Sequence, residues 1–428
     1  MDGKLRLLDS FNFFPSSLDA LVKGLKKNNA STFPITRKIF SKYLSDPSII
    51  IGKGHFPHEF ITWETLYEKR TSIPPKSAFD SSLNESQITF AEHAHVQYLF
   101  TKLKCQSLAD LSYYYCLSDT LQLADIVLYY QNLCMNKFGV DLFKFYSTSS
   151  LAYFIALVES AQPLEYIKDK KQQEFVRNFI RGANVFTPIR YAVANNPMLP
   201  GYDAKKPHRF LFMYDVNSLY GHILTQDLYV GEPRWLSASE ISKFDLDKTL
   251  FGQGYIIKCD IKIPHHLHEY FVDFCPLTEK YKYLPEQFSD YQRELMKQYN
   301  MVNIEEELSM NLFDKYNYII HYKLLRFVLE LGLVVSKIHE ILEFKECPFL
   351  REHVSNNIRA RQESVSEPER TFLKLMTNSI YGKMLQNKME ELNTHIVLDP
   401  HRAIKLIASE RFDRYQIINS STSLIHMT

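Results

Sequence analysis

The chain has 428 residues, a length that suffices for two or three domains with hydrophobic cores. It is 45% hydrophobic and 23% charged, as is usual for a globular protein, and a net charge of +1 leaves its partners open. Six cysteines without a CxxC pair predict reduced thiols in an intracellular protein. The most apolar long stretch, 324–342, carries too many charged residues to span a membrane.

Residues 1–165 are predicted to form a first region that is rich in helices. A strand is predicted at 4–8, and Ser16 is predicted to cap a helix at 17–26, with Asp19 three positions on as in a capping box. After a loop-rich stretch, further helices are predicted at about 88–104, 107–137 and 149–161.

A basic stretch at 168–209 follows this region. It contains nine lysines and arginines but only three acidic residues, so it can neutralise phosphate groups. On charge alone, an ordinary solvated surface is the slightly better interpretation. Turn-like sequences at 181–183 and 194–197 indicate that the stretch connects two regions.

An apolar run at 210–214 predicts a buried strand that ends at Asp215, followed by a short helix from Leu219. A carboxylate at a strand end is rigidly placed and can hold a metal ion, although such a residue can also be a cap or a turn residue. Further strands are predicted at 254–264, 316–321, 333–338 and 341–344, with an insertion of helix and loop at about 276–310.

The clearest local feature is a helical hairpin. Its first helix is predicted at about 349–363, and the second extends to about Gln386. The restart between them has a good N-cap in Ser366, a proline suited to the first turn in Pro368, and Glu369 at the capping-box position.

The second hairpin helix carries Arg370, Lys374, Asn378 and Tyr381, which share one face at about 3.6 residues per turn. Arg370 and Lys374 are like charges four residues apart. This arrangement is unfavourable on an isolated helix, and a polyanion along the face would reverse that. The same spacing fits an ordinary polar face opposite a core stripe, so spacing alone leaves both interpretations open.

Two motifs decide between these interpretations. The sequence KLMTNSIYGK at 374–383 fits K-x-x-x-N-S-x-Y-G, and DVNSLYG at 215–221 fits D-x-x-S-L-Y-P except that Gly221 replaces the proline. The motif at 374–383 resembles the fingers-helix motif of family B DNA polymerases, and the motif at 215–221 resembles their first palm motif. The two occur along the chain in the order that the family has. The stretches 53–61, 111–125, 181–197 and 314–333 resemble the protein-primed branch, which serves bacteriophages, adenoviruses, linear plasmids and Maverick/Polinton transposons. The transposon type is the most similar, and nearly the whole chain is covered.

The resemblance implies a mixed α/β (α+β) fold, in which the C-terminal part of an RNase H-like exonuclease domain precedes a family B palm with helical-hairpin fingers. The implied segments are a partial 3′–5′ exonuclease-like domain at 1–165, a basic connection at 166–210, the first part of the palm at 211–345, the fingers at 346–388 and the start of the remaining palm at 389–428.

The resemblance also implies a polymerase site. Asp215 and the backbone carbonyl of Val216 would contact one of two Mg²⁺ ions, which stabilise the attacking and leaving oxygens of phosphoryl transfer. Arg361 would be a weaker phosphate contact, and it fits equally a surface arginine near a helix C-terminus. The implied nucleotide-binding residues are Tyr220, Arg361, Arg370, Lys374, Asn378 and Tyr381.

Other residues are implied to belong to an exonuclease remnant or to bind DNA. Tyr115 and Asp119 form a Y-x-x-x-D pattern that resembles the third exonuclease motif, in which the aspartate holds a metal ion and the tyrosine orients water. The implied DNA-binding residues are Ser17 and Leu18, in a pattern for single-stranded primer ends, and Arg181, Gly182 and Ala183, in a template-contacting stretch.

The sequence PHHLHE at 264–269, with Cys275 nearby, is rich in residue types that bind zinc. Its spacing matches no standard zinc site, and the corresponding region of the family is structural. A structural role is therefore the favoured interpretation.

A second palm carboxylate motif, of the D-T-D type, is not found at 387–428, and the first two exonuclease motifs are not found either. We therefore expect a fragment, cut at both ends, that is weakly active or inactive by itself. The alternative is a non-catalytic DNA-binding remnant of a mobile-element polymerase. A metal-dependent glycosyltransferase would not explain the polar helix face.

The complete enzyme would add deoxynucleotides to a 3′ end, or to a hydroxyl group of a priming protein, with two Mg²⁺ ions as cofactors. The expected partners are template and primer DNA, deoxynucleoside triphosphates and a terminal protein. Association with a membrane is not expected. Within the cell, nucleus and mitochondrion are both left open.

Overall fold

The computed structural model describes residues 7–28, 32–83, 85–182, 184–187, 189–301, 305–386 and 393–427. The fold is mixed α/β, as predicted. Backbone contacts divide the chain into two compact units: unit one comprises Met1–Glu159 with His353–Thr428, and unit two comprises Ser160–Glu352. Most of the strand predicted at 4–8 lies outside the described residues.

Helices and strands alternate irregularly along the chain. The described helices are α1 (Leu18–Asn28), α2 (Pro34–Phe40), α3 (Trp63–Tyr67), α4 (Phe90–Lys102), α5 (Leu108–Phe138), α6 (Thr148–Ser160), α7 (Lys170–Phe179), α8 (Leu219–Leu224), α9 (Ala238–Ile241), α10 (Asp290–Gln298), α11 (Tyr322–Glu330), α12 (Arg351–Glu363), α13 (Glu367–Met384) and α14 (Pro400–Ile407). The described strands are β1 (Leu228–Trp235), β2 (Gln253–Lys262), β3 (Glu279–Tyr281), β4 (Glu307–Ser309), β5 (Lys315–His321), β6 (Val334–Cys347), β7 (Asn393–Val397), β8 (Phe412–Asn419) and β9 (Thr422–Met427).

The first part of unit one is helical, and α4, α5 and α6 begin and end within two residues of their predicted bounds. The long helix α5 begins at a capping box between Ser107 and Asp110, and it ends at Gly139, whose φ of +66° suits glycine. These local signals explain why the helix could be predicted. None of the described helices has the length and apolar composition that a membrane crossing requires.

The predicted cap of α1 is wrong by one residue. The hydroxyl of Ser17, rather than that of Ser16, accepts the Ala20 N–H at 3.3 Å. The N–H of Ser16 instead donates to the Phe14 carbonyl at 2.7 Å, so Ser16 belongs to the preceding turn and the helix starts later.

The second part of unit one contains the predicted helical hairpin, α12 and α13, and a small antiparallel sheet. The strand order is β7-β9-β8. Helix α14 covers one face of this sheet, where Val397, Ile425 and Met427 are buried and Leu406 and Phe412 pack against them. The opposite face is exposed, as the 68% exposure of Ile396 shows.

Unit two is built on an antiparallel four-stranded sheet with the order β1-β6-β2-β5. The predicted strands at 333–338 and 341–344 are one continuous strand, β6. Helix α11 packs on the sheet, and Ile257, Ile261 and Val328 are fully buried in the core between them. The predicted insertion contains β3, α10 and β4.

The strand predicted at 210–214 is not formed. These residues are exposed and unpaired, with 97% exposure for Met213 and 87% for Tyr214. The rings of Phe210, Phe212 and Tyr214 nevertheless follow one another at 6.0 and 6.1 Å along one side of the backbone. An apolar run becomes a strand only when a neighbour accepts its hydrogen bonds, and no described residue does so.

Candidate active site

Helix α13 presents four of the predicted nucleotide-binding residues on one exposed face. Arg370, Lys374, Asn378 and Tyr381 are all exposed, and the face extends about 16 Å along the helix axis. The guanidinium of Arg370 lies 3.3 Å from the carboxylate of Glu367. The face thus offers two cations to an anionic ligand, with an amide and a phenol further along.

The opposite face of α13 determines which way these side chains point. Phe372, Leu373, Met376 and Ile380 are buried, and the ring centroid of Phe372 lies 5.3 Å from that of Tyr130 on α5. Each buried side chain of this kind stabilises the packing by roughly 1.5–3 kcal/mol. Rotation of the helix would expose them, so the polar face is held outward.

Arg361 lies in the last turn of α12 and is half-buried. It belongs to the first helix of the hairpin and does not share the face of α13. Its predicted role as a phosphate contact stays a prediction.

Asp215 lies in a segment that is exposed throughout, from 204 to 220. Its carboxylate has no hydrogen-bond or ion-pair partner in the described part of the chain. Val216 and Tyr220 are 63% and 50% exposed. Ser218, which precedes α8, has φ 54° and ψ 46°, a left-handed conformation that costs a serine roughly 1–3 kcal/mol. Such strain is often found at functional sites, and here it falls inside the motif.

The residues around Asp215 do not form a complete metal site. The Asp215 carboxylate and the Val216 carbonyl are oxygen donors, the kind that Mg²⁺ takes. Across the described ranges, however, no three His, Cys, Asp or Glu side chains are grouped so that they could hold a metal ion. The described residues therefore supply only part of a ligand set for Mg²⁺ at Asp215.

Tyr115 and Asp119 are brought together one turn apart on α5. A hydrogen bond links them, yet burial raises the pKa of Asp119 and also that of Tyr115. The ring of Tyr115 stacks on Phe56 at 5.7 Å and meets the edge of His58 at 5.9 Å. The predicted pair is therefore formed and held by the loop that precedes it in the chain.

Gly54 is a residue of this site that sequence reasoning missed. A Cβ atom at this position would lie 2.7 Å from the ring carbons Cδ2 and Cε2 of Tyr115. Only glycine leaves room for the ring. A glycine in a loop gives no sign of the tyrosine that it faces, so local sequence carries no signal for this contact.

The side chain of Arg181 makes contacts within unit two. Its guanidinium donates to the Ile319 carbonyl at 2.8 Å and lies 4.0 Å from the centre of the Tyr318 ring. Burial lowers its pKa. Gly182 is exposed, and Ala183 lies outside the described residues. A DNA contact through the Arg181 side chain would have to break these two interactions.

The two other predicted DNA-binding residues lie at the start of α1. Ser17 is exposed while its hydroxyl caps the helix, and Leu18 is half-buried. Both stay predictions for DNA binding.

The histidine-rich stretch is integrated into the fold. A ring nitrogen of His268 lies 3.1 Å from the Ile263 carbonyl oxygen, and Cys275 is buried with its thiol directed at the Leu277 carbonyl. This arrangement agrees with a structural role.

The model of the family described as "DNA polymerase type B, organellar and viral" matches residues 2–426. No curated protein sequence matches the chain.

Similar solved structures include phi29 DNA polymerase in an orthorhombic crystal form, with 13% identity, a TM-score of 0.45, and coverage of 92% of this chain and 50% of that chain. Phi29 DNA polymerase complexed with primer-template DNA and incoming nucleotide substrates has 15% identity, a TM-score of 0.43 and the same two coverages. The chain spans about half the length of the solved structures that it matches.

Proposed function

The chain belongs to the type B DNA polymerase family, organellar and viral, and we propose that it serves protein-primed, template-directed DNA synthesis by binding the incoming deoxynucleoside triphosphate. Template and primer DNA are the proposed macromolecular partners, and a terminal protein is the proposed source of the first hydroxyl group. Asp215 and the Val216 carbonyl are proposed ligands of Mg²⁺. Because the sequence lacks a second palm carboxylate motif, weak activity or none is proposed for this chain alone.

The exposed face of α13 is the observation that carries this proposal. Arg370 and Lys374 stand one turn apart, where like charges repel by a few tenths of a kcal/mol on an isolated helix. A triphosphate between them would replace this repulsion with charge-assisted hydrogen bonds, worth roughly 1.5–3 kcal/mol each. A face retained only for solubility would have no reason to place two cations in this register.

The basic stretch supports the proposed binding of DNA. Eight of its nine cations are exposed, and Arg181 is the exception. Lys171 pairs with Glu340 at 2.9 Å and Lys206 with Asp203 at 3.5 Å, both at the surface. Surface pairs are weak, so phosphates could compete for these cations. The exposed cations are Lys168, Lys170, Lys171, Arg177, Arg190, Lys205, Lys206 and Arg209.

Equilibrium binding of a fluorescent deoxynucleoside triphosphate to the full chain tests the nucleotide site. Arg370→Ala and Lys374→Ala should each weaken binding by about ten-fold, because each removes one charge-assisted contact. Lys383→Ala is the matched control: it removes a cation from the same helix, half a turn around from Lys374. Equal affinity of all four proteins would contradict the proposal.

Primer extension with Mg²⁺ tests the proposed low activity of this chain. We expect little or no incorporation above background. Robust template-dependent incorporation that Asp215→Asn abolishes would show that the chain holds a complete catalytic site and would overturn this part of the proposal.

A second candidate is a non-catalytic DNA-binding protein derived from a mobile-element polymerase. It is favoured by the single palm carboxylate motif and by the lack of a metal-holding group in the described ranges. This candidate predicts salt-dependent DNA binding without nucleotide binding. Both candidates bind primer–template DNA, so the nucleotide titration described above separates them: only the first predicts binding of the deoxynucleoside triphosphate.

A further inference from the structure

The tip of the α12–α13 hairpin is bound to the helices of the first part of unit one. The ammonium of Lys137, in the last turn of α5, donates to the Glu369 carboxylate at 2.8 Å. The hydroxyl of Tyr129, two turns earlier on α5, lies 3.2 Å from the Ser366 hydroxyl. Both partners on the hairpin belong to the cap and first turn of α13.

Glu369 is diverted from the role that its position predicts. In a capping box its carboxylate would accept the Ser366 N–H, but in the structure it accepts from Lys137 and from the Ser364 hydroxyl, the latter at 2.8 Å. Ser366 still caps α13, because its hydroxyl accepts the Glu369 N–H at 3.5 Å. The carboxylate therefore joins α13 to α5 and leaves the local cap to the serine.

The ion pair is largely shielded from water, with side-chain exposures of 28% for Lys137 and 20% for Glu369. Burial acts to raise the pKa of Glu369, and the hydrogen bonds from Lys137 and Ser364 outweigh it, so the pKa lies below its ordinary value. The carboxylate is thus charged near neutral pH, and the pair is better protected from screening than a pair at the surface.

Apolar contacts also join α13 to α5 and to α1. The ring centroids of Tyr130 and Phe372 lie 5.3 Å apart, one residue further along α5 from Tyr129. On α1, Gly24 lies under Pro368, whose Cγ would be 3.5 Å from an added Cβ. The first turn of α13 is therefore held from two helices, next to the position of Arg370.

We propose that Lys137 and Glu369 are positioning residues for the triphosphate-binding face of α13. The pair fixes the first turn of the helix against α5, so that Arg370 and Lys374 meet an incoming nucleoside triphosphate in a single orientation. The exonuclease-like helices thereby set the affinity of the nucleotide site. This inference rests on the proposed nucleotide-binding role of α13.

The test measures two quantities on the full chain: backbone hydrogen exchange in α13 and the affinity for a fluorescent deoxynucleoside triphosphate. Lys137→Met and Glu369→Gln should each speed exchange in the first two turns of α13 by about ten-fold and weaken nucleotide binding by about three- to ten-fold. Exchange in the second half of α13, where Met376, Thr377 and Ile380 are buried, should not change. Lys137→Arg should keep wild-type values of both.

The double variant distinguishes the loss of the Lys137–Glu369 interaction from other effects of each substitution. Because both changes remove the same interaction, Lys137→Met with Glu369→Gln should be no worse than either single variant. Lys23→Met is the matched control, since it breaks the 2.7 Å pair with Asp19 on α1. It should leave exchange in α13 at its wild-type rate.

Two results would overturn the inference: unchanged exchange in the first turns of α13 in both single variants, or strictly additive effects in the double variant. A third result separates the inference from the proposed function. If the wild-type chain does not bind the nucleotide but hydrogen exchange in α13 responds to the variants as expected, the proposed function is wrong, while the ion pair still fixes α13 against α5.

Discussion

The carboxylate of Asp125 on α5 caps helix α2 at Thr36, a residue 89 positions earlier in the chain. It accepts the backbone N–H groups of Ile35 and Thr36 at 2.9 Å each, and the Thr36 hydroxyl at 2.7 Å. The residue before α2, Phe33, has no side chain that could cap. A long-range carboxylate thus satisfies donors that are usually satisfied locally.

Replacement of Asp125 by alanine should therefore destabilise unit one. Three donors would lose a buried, charged acceptor, and we expect a loss of about 2–4 kcal/mol in the free energy of unfolding. Urea denaturation followed by circular dichroism measures this loss. Asp46→Ala, which removes an exposed cap at Ser48, should cost about 1 kcal/mol or less. Similar losses in the two variants would contradict the assigned role of Asp125.

A methyl group at position 54 should disturb Tyr115. Gly54→Ala places a Cβ at 2.7 Å from the ring, so the ring or the loop must shift, at a cost of about 1–3 kcal/mol. Gly24→Ala is the control: its Cβ would meet Pro368 at 3.5 Å, an ordinary contact, and alanine favours a helix by about 0.5–1 kcal/mol. Thermal unfolding should move the two midpoints in opposite directions.

The free energy of unfolding of unit two should depend on pH through the titration of His321. Burial lowers the pKa of His321 to about 4, with a smaller contribution from the Lys323 charge. The unfolded chain, with a histidine pKa of about 6.5, binds more protons between these values. The contribution of His321 to the free energy of unfolding is therefore fully present above about pH 6.5. It is lost as pH falls toward 4, by at most roughly 3 kcal/mol.

His321→Asn checks this pH dependence. Asparagine does not titrate and can still cap α11, where a ring nitrogen of His321 accepts the Lys323 N–H at 3.3 Å. Denaturant midpoints measured from pH 4 to 7 should vary less in this variant than in the wild type. His266→Asn, at an exposed site, should retain the wild-type slope.

The buried ammonium of Lys315 should hold the insertion to the rest of unit two. It is fully buried and donates to Glu279 at 2.7 Å and to the side-chain oxygen of Asn311 at 2.6 Å. Lys315→Met leaves the Glu279 carboxylate without its partner, at an expected cost of about 3 kcal/mol. Limited proteolysis should then cut within 276–310 sooner than in the wild type. An unchanged cleavage rate would mean that the pair does not hold the insertion.

Elements with complete local signals could be predicted from the sequence. Helix α5 has its capping box at Ser107 and its terminal glycine at Gly139, and the face of α13 follows from spacing alone. Interactions that depend on distant residues could not be predicted. Glu369 has the position of a capping-box residue, but Lys137, 232 positions away, binds its carboxylate.

The candidate site shows the same division. The pairing of Tyr115 with Asp119 follows from helical spacing, whereas the space for the tyrosine ring depends on Gly54. The left-handed backbone of Ser218 leaves no trace in the sequence, because serine rarely adopts it. Asp215 is selected by the motif at 215–221 and by the apolar run before it, but the strand expected at that run needs a partner that local sequence does not specify.

The exposed segment at 210–214 also has a practical consequence. Five exposed apolar side chains in a row, on a backbone without a strand partner among the described residues, form a template on which a second molecule can add a strand. Purified chains should therefore aggregate as concentration rises, and light scattering should reveal it. Phe212→Lys, which places a charge in the middle of the row, should keep the protein dispersed, so the segment that leads to Asp215 also limits the concentration at which the chain stays monomeric.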